Sequence, residues 1–259
     1  MVQTQETRQI SYVQAVNEAI RQEMERDPTV FVMGEDVAGG GGREGKEDAW
    51  GGVFRLTKGL IGQFGPERIR DTPISEAGFI GAGVGAAASG MRPIVDLMFV
   101  GFLGVCGDQI FNNAAKMHYM FGGKVELPLT IMTGIGAGHA SAAQHSETNY
   151  SVFSHYPGLK CVVPSDAYTA KGLFISAIRD NDPVVIFNNI LLMGRSSKSS
   201  DSSGGTLVHV PEDAYTIPIG KANIAKEGSD ATLVGIGHST GTCHEAAVAL
   251  EGLGYSIEV

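Results

Sequence analysis

The chain has 259 residues, 43% hydrophobic and 18% charged, with a formal charge of −9 and an isoelectric point near 5.2. Such proportions suit a globular protein with material for one large domain, or for one domain and part of another. They exclude nucleic acid and anionic membrane as main partners, because both call for a basic face. Cys106, Cys161 and Cys243 are odd in number, scattered and set among apolar or small residues, so reduced buried thiols are expected rather than a disulfide framework or a zinc site. No apolar run is long enough to span a bilayer, and the polar start lacks the pattern of a targeting peptide; a reducing cytoplasm is the expected compartment.

In chain order, Ser11 with Gln14 makes a capping-box start, and Val16, Ala19, Ile20 and Met24 follow at helical spacing until Asp27-Pro28. Val30-Phe31-Val32-Met33 predicts a short buried strand running into Gly34-Glu35-Asp36. Residues 38–52 form a Gly-rich, charged loop around Trp50, the only tryptophan. Ile69-Arg70-Asp71 predicts a strand end. Ser75 is placed to cap a helix from Glu76 to about Ser89, stopped by Gly90. With no charge after Glu76 and mostly Gly and Ala, that helix is expected to be buried all round. A strand over 93–98 and a long helix over 103–119 come next, then a strand over 129–133 that opens into the small-residue loop 134–147.

Residues 160–163 predict another strand. Ser165 or Asp166 caps a helix to Asp180, and a further strand covers 183–187. Strands alternating with helices, with almost uninterrupted apolar strand cores, predict an α/β fold with a doubly wound parallel sheet. The Ser-rich stretch 195–206 reads as a linker. A new unit then begins, with a strand over 231–236, a helix over 240–252 and a strand over 255–259.

In open parallel sheets ligands bind beyond the carboxyl ends of the strands, which directs attention to residues 73–76, 98–102 and the loop ending at His145. Glu76 can be a first-turn acid favoured by the helix dipole, or a covered carboxylate fit for acid/base work. Phe102 can be plain core, and His145 can be core or line a cavity. The glycines of GAGVGA (81–86) lie inside a helix instead of at a strand-to-helix turn, so they indicate close packing and not a dinucleotide site. The chain also lacks a GDG…N signature for holding magnesium and diphosphate.

Taken together, DTPISEAGFIGAGVGAAASGMRPIVDLMF (71–99), DQIFNNAAKMHYMFGG (108–123), AAQHS (142–146) and HYPGLKCVVPSDAYTAKGLFISAIRDNDPVV (155–185) resemble the beta subunits of the thiamine-diphosphate-dependent 2-oxo-acid and acetoin dehydrogenases, a transketolase-like family. The resemblance runs from about Ser11 to the final residue. It implies a pyrimidine-binding domain over 1–194, a linker over 195–228, and over 229–259 the start of a C-terminal domain that in the family continues for several more elements. A lone strand–helix–strand piece of that domain is expected to be marginal in stability.

The resemblance further implies an α2β2 heterotetramer in which the alpha subunit holds Mg2+ and the diphosphate, while the pyrimidine end of thiamine diphosphate meets this chain. Glu76 matches the glutamate on N1′ of the aminopyrimidine, Phe102 the aromatic packed against that ring, and Ile74 and Met98 its neighbours. His145 matches the histidine that assists proton transfer and acyl hand-off to a lipoylated acyltransferase. Leu129, Ala177, Ile178, Asp180 and Asp182 align with a structural K+ site built mostly from backbone carbonyls.

The stretches 38–60 and 98–111 look most like the acetoin-cleaving branch. Two departures stand against the family pattern: Glu147 where Gln is usual, and Asn188-Asn189-Ile190 in place of an acidic segment. The alternatives are a pyruvate or branched-chain dehydrogenase beta subunit, an assembly subunit without catalytic residues, and a nicotinamide-binding oxidoreductase. Retention of Glu76, Phe102 and His145 disfavours the assembly subunit, and the misplaced glycines disfavour the nicotinamide enzyme.

Overall fold

The structure, a computed structural model, describes residues 8–39, 51–194 and 207–259; the loop residues 40–50, with Trp50, and the Ser-rich stretch 195–206 lie outside that description. A short strand β1 (Gln9–Ile10) leads into α1 (Tyr12–Arg26). The capping box closes from both sides: the Gln14 N–H donates to Ser11 Oγ at 3.3 Å, and the Ser11 N–H donates to Gln14 Oε1 at 2.9 Å. After the Asp27 cap come β2 (Val30–Gly34), α2 (Leu60–Phe64), β3 (Ile69–Asp71), α3 (Glu76–Ala88) and β4 (Arg92–Phe99).

The single long helix expected over 103–119 is broken. It divides into α4 (Leu103–Asp108), a π-helical turn Gln109–Ala114 and α5 (Met117–Met120). The break is a hydrogen-bond slip: the Ala115 N–H donates to Ile110 O, five residues back, at 2.9 Å. Then follow β5 (Thr130–Ile135), α6 (Tyr150–Ser154), β6 (Lys160–Val162), α7 (Ala167–Arg179) and β7 (Val184–Asn189). Of the two candidate caps for α7, Asp166 is the one used, in a reciprocal box with Thr169.

Six strands form one parallel sheet in the order β3-β2-β4-β5-β7-β6, the doubly wound arrangement expected. Both faces are covered. Val16, Ile20 and Met24 of α1 pack with Phe174 and Ile178 of α7 on one face, and Phe79, Ile80 and Val84 of α3 pack with Ile110 and Phe153 on the other. Such two-sided burial is why the strands need continuous apolar sequence.

At Gly83 a Cβ would lie 2.6 Å from Val95 Cγ2, so α3 rests on β4 at a distance only glycine permits. The glycine run is packing, as its position inside the helix predicts. Two expectations for α3 are corrected. Ser75 stands at the N-cap but its side chain makes no capping bond, and its hydroxyl donates to Pro73 O instead. The helix is also not buried all round, because Ala77, Gly78, Ala82, Gly85 and Ala88 face outward. Small residues signal close approach without saying whether the approaching surface belongs to the same chain.

Beyond the main sheet, β8 (Val208–His209) pairs antiparallel with β1, and residues 207–219 lie as a strap over α1 and α7. The last unit is β9 (Ala231–Thr232), α8 (Ser239–Glu251) and β10 (Ile257–Glu258). Its two strands pair in parallel, as a βαβ unit requires, but over two residues each, fewer than the apolar runs predict. Among the described residues no helix is long and apolar enough to cross a membrane.

Candidate active site

From β2 the chain passes to the edge strand β3, then returns to β4 on the other side of β2. This reversal leaves a crevice at the carboxyl ends of β2 and β4, where ligands settle in open α/β sheets. Glu35 and Asp36 follow β2, Met98 and Phe99 end β4, and α3 brings Glu76 to the same end from β3.

Glu76 is only 7% exposed, yet among the described residues its carboxylate makes no hydrogen bond or ion pair. Its field reaches two neighbours. Burial, Asp36 and Glu76 hold the Glu35 carboxyl above its ordinary range, and burial together with Glu76 pushes the Cys106 thiol up to about 12. A largely covered acid with no protein partner, at the end of a crevice, is placed to meet a ligand.

Phe102 ends a 3-10 turn, Val100–Phe102, and is half-buried, touching the cores of both sheet faces. Its ring meets Phe99 edge-on at 5.9 Å and His145 at 5.9 Å, and Phe99 meets His145 at 4.2 Å. These contacts join the β4 end to the loop after β5. His145 Nδ1 lies 2.9 Å from Ser141 O. A carbonyl only accepts, so Nδ1 carries a hydrogen and Nε2 is the ring nitrogen left to face a ligand.

Met98 is buried and holds a left-handed backbone, φ 59°. Ile74 is 76% exposed at the crevice edge. The structure thus gathers Met98, Phe102 and His145 into one aromatic-walled cluster and puts Glu76 at its own corner of the crevice, with no bond between Glu76 and His145.

Two residues escaped the sequence reading. Asp96, inside β4, is buried, and burial pushes its carboxyl up to about 7, opposed by the Met98 N–H it accepts and assisted by Glu35. Glu35 is the other. An acid within the apolar run PIVDLMF was the available signal for Asp96.

The five residues aligned with a cation site lie together at the opposite end of the sheet, and their oxygens are already engaged. Leu129 O accepts from the Val184 N–H, and Ala177 O from the Asp180 N–H. Arg92 Nη1 donates to Ile178 O at 3.0 Å and Asp180 O at 2.9 Å. Lys160 Nζ bridges the carboxylates of Asp180 and Asp182 at 2.7 and 3.0 Å. Among the described residues no group of three or more His, Cys, Asp or Glu is arranged to hold a metal.

Residues 8–193 match the family model described as the transketolase pyrimidine-binding domain. The chain is 50% identical over 252 residues to the acetoin:2,6-dichlorophenolindophenol oxidoreductase subunit beta of Cupriavidus necator, covering 97% of this chain and 71% of that one. It is 41% identical over 246 residues to the mitochondrial pyruvate dehydrogenase E1 component subunit beta-2 of Oryza sativa, covering 95% of this chain and 61% of the relative. In fold it resembles a split-gene transketolase solved as an inactive beta4 tetramer, with a TM-score of 0.71 and 21% identity over 96% of this chain and 70% of the other.

Proposed function

The chain belongs to the transketolase pyrimidine-binding family, and from that premise we propose that it is the beta subunit of a thiamine-diphosphate-dependent acetoin dehydrogenase. One observation carries the reading: a buried carboxylate, Glu76, without a protein partner at the switch-point crevice of the sheet. An aminopyrimidine offers ring nitrogens of the kind such a carboxylate lacks, so the residues present fit the cofactor. When bound, the cofactor supplies a nucleophilic carbon and an electron sink for the two-carbon fragment.

The protein's part is narrower. Glu76 holds a proton at N1′ of the pyrimidine. Phe102 and Met98 wall the ring, and Ile74 is available to cover it from the crevice edge. His145, with Nε2 free and Nδ1 tied to Ser141 O, moves a proton on the substrate side or during hand-off to a lipoyl arm.

Diphosphate and Mg2+ are assigned to an alpha subunit, and the acetyl group to a lipoylated acyltransferase. The outward small-residue face of α3, together with Tyr119, Met120 and Phe121 exposed at and just after α5, supports a chain that packs against other subunits. Oxygen ligands of the Leu129–Ala177–Ile178–Asp180–Asp182 set suit K+ in kind. Arg92 and Lys160 already bring positive charge to these oxygens, so an ion there would have only the remaining carbonyl lone pairs and would compete with both side chains.

The test is reconstitution with an alpha subunit and thiamine diphosphate, following acetoin-dependent dye reduction. Glu76→Gln is expected to fold normally and to lose roughly two to four orders of magnitude in turnover. Near-normal turnover would sink the assignment. Pyruvate is the second substrate to assay, since a pyruvate dehydrogenase beta subunit is also among the relatives.

A further inference from the structure

We propose that Asp96 is a positioning residue for the cofactor site: its carboxylate clamps a bulge in β4 that aims Met98 and the Phe99–Phe102 aromatics into the pyrimidine pocket. The inference rests on the functional reading above for what the pocket holds, and on the following geometry for how it is held.

Along β4 and β5, Asp96 pairs with Met132 but Phe99 pairs with Gly134. Three steps on β4 therefore match two on β5, and β4 carries one extra residue. That is a β-bulge, a device that re-aims side chains beside active sites. The side chains record it. Ile94, Val95, Leu97 and Met98 follow strand alternation between the two core clusters, but Met98 and Phe99, neighbours in sequence, both join the cluster on the α1 face. Without the extra residue Phe99 would point to the opposite face, away from His145, whose ring it now meets at 4.2 Å.

The bulge depends on Met98 at φ 59°, a conformation that favours glycine. The Met98 N–H is buried there and needs an acceptor, and Asp96 Oδ1 provides one at 2.8 Å, two residues back, in the manner of an Asx turn. β2 lies close against Asp96: a Cβ on Gly34 would lie 2.9 Å from Asp96 O and 3.0 Å from Asp96 Cβ. Retaining an acid in this buried place, close enough to Glu35 for burial and repulsion to disfavour its charge, is costly unless the hydrogen bond has a use.

The experiment uses the reconstituted complex with its alpha subunit and measures thiamine diphosphate affinity by fluorescence quenching, alongside Tm. Asp96→Asn keeps an oxygen for the Met98 N–H, and Asp96→Ala does not. The expected result is a dissociation constant raised tenfold or more by Asp96→Ala and no more than about threefold by Asp96→Asn. Removing the acceptor should also cost less than threefold when residue 98 is glycine, which adopts φ 59° unaided: Asp96→Ala/Met98→Gly compared with Met98→Gly alone. This cycle separates clamping from general destabilisation, which would act equally in both backgrounds.

If Asp96→Ala does not assemble, Asp96→Asn decides. Tenfold weaker binding by Asp96→Asn without a fall in Tm would show that the charge matters and not the hydrogen bond, overturning the proposal. Unchanged affinity in Asp96→Ala would overturn it as well. A wild-type complex that binds no thiamine diphosphate would instead overturn the functional reading, so the two failures are distinct.

Discussion

Lys171→Met is the substitution whose cost can be worked most directly from the structure. Lys171 is fully buried in α7, and its ammonium donates to Glu18 Oε1 at 2.6 Å, Pro211 O at 2.6 Å and Glu212 O at 2.8 Å. All three of its protons are used, tying α7 to α1 and to the strap over 207–219. Methionine fills similar space but withdraws the ammonium from Pro211 O and from Glu212 O, which keeps Gln22 Nε2 as a donor, and leaves Glu18 with Arg8 as its charged partner among the described residues. Because Glu18 keeps Arg8, the cost should sit at the low end of the range for breaking a buried pair, about 3 kcal/mol.

At about 2–4 °C per kcal/mol for a protein of this size, Tm should fall by roughly 10 °C. Urea denaturation at pH 7 measures it. Burial opposes ionisation of Glu18, but Arg8 and Lys171 outweigh it and hold the carboxyl below its usual range. The stabilisation is therefore present above the unfolded pKa and is lost as pH falls through the lower folded value, so the gap between variant and wild type should narrow in acid. The strap should also become cleavable near Glu212 in limited proteolysis while wild type resists there. A loss under about 1 kcal/mol with unchanged cleavage would refute the reasoning.

His145→Ala should slow acyl transfer or substrate proton steps while leaving thiamine diphosphate affinity near normal, which single-turnover and binding measurements separate; lost affinity at normal turnover would contradict the assigned role. Asp96→Asn should raise Tm at pH 8, because a folded pKa near 7 against an unfolded value of 3.8 means that stability is lost as pH rises between them. The difference, about 4 kcal/mol at most from roughly 1.4 kcal/mol per pH unit, should vanish by about pH 4 in a pH series of melts. Gly83→Val should cost several kcal/mol or abolish folding, because even the first carbon lands 2.6 Å from Val95 Cγ2, and denaturant titration reads it.

What the sequence made legible was local chemistry and two-sided burial. Ser11 and Gln14 announce the start of α1, Ser165 or Asp166 that of α7, and the apolar runs announce central strands of a parallel sheet. What it left dark depends on partners distant in the chain. The β1–β8 pair is two residues long on each side and joins positions about 200 apart, too short to leave a periodic signal. The π-helical turn after α4 slips one hydrogen bond without any Pro or Gly at the slip to mark it. The outward face of α3 carries the same Gly and Ala as its inward face, so composition could not tell packing within the chain from packing by another subunit.

The site divides along the same line. Glu76 at a helix start, Phe102 just after β4 and His145 in the loop that follows β5 lie where strand order directs attention, and the roles proposed for them come from the family resemblance. Asp96 was not legible in this way. Its residue type stood out within PIVDLMF, but its use follows from a register shift of β4 against β5, which no stretch of β4 encodes alone. A bulge is a relation between two strands, and so is the pocket wall it builds: Phe99 reaches His145 because β5 delivers the histidine loop opposite the extra residue of β4. Candidates for contact with a ligand can thus be looked for from the chain's order, whereas candidates for aiming them emerge only when the strands are paired.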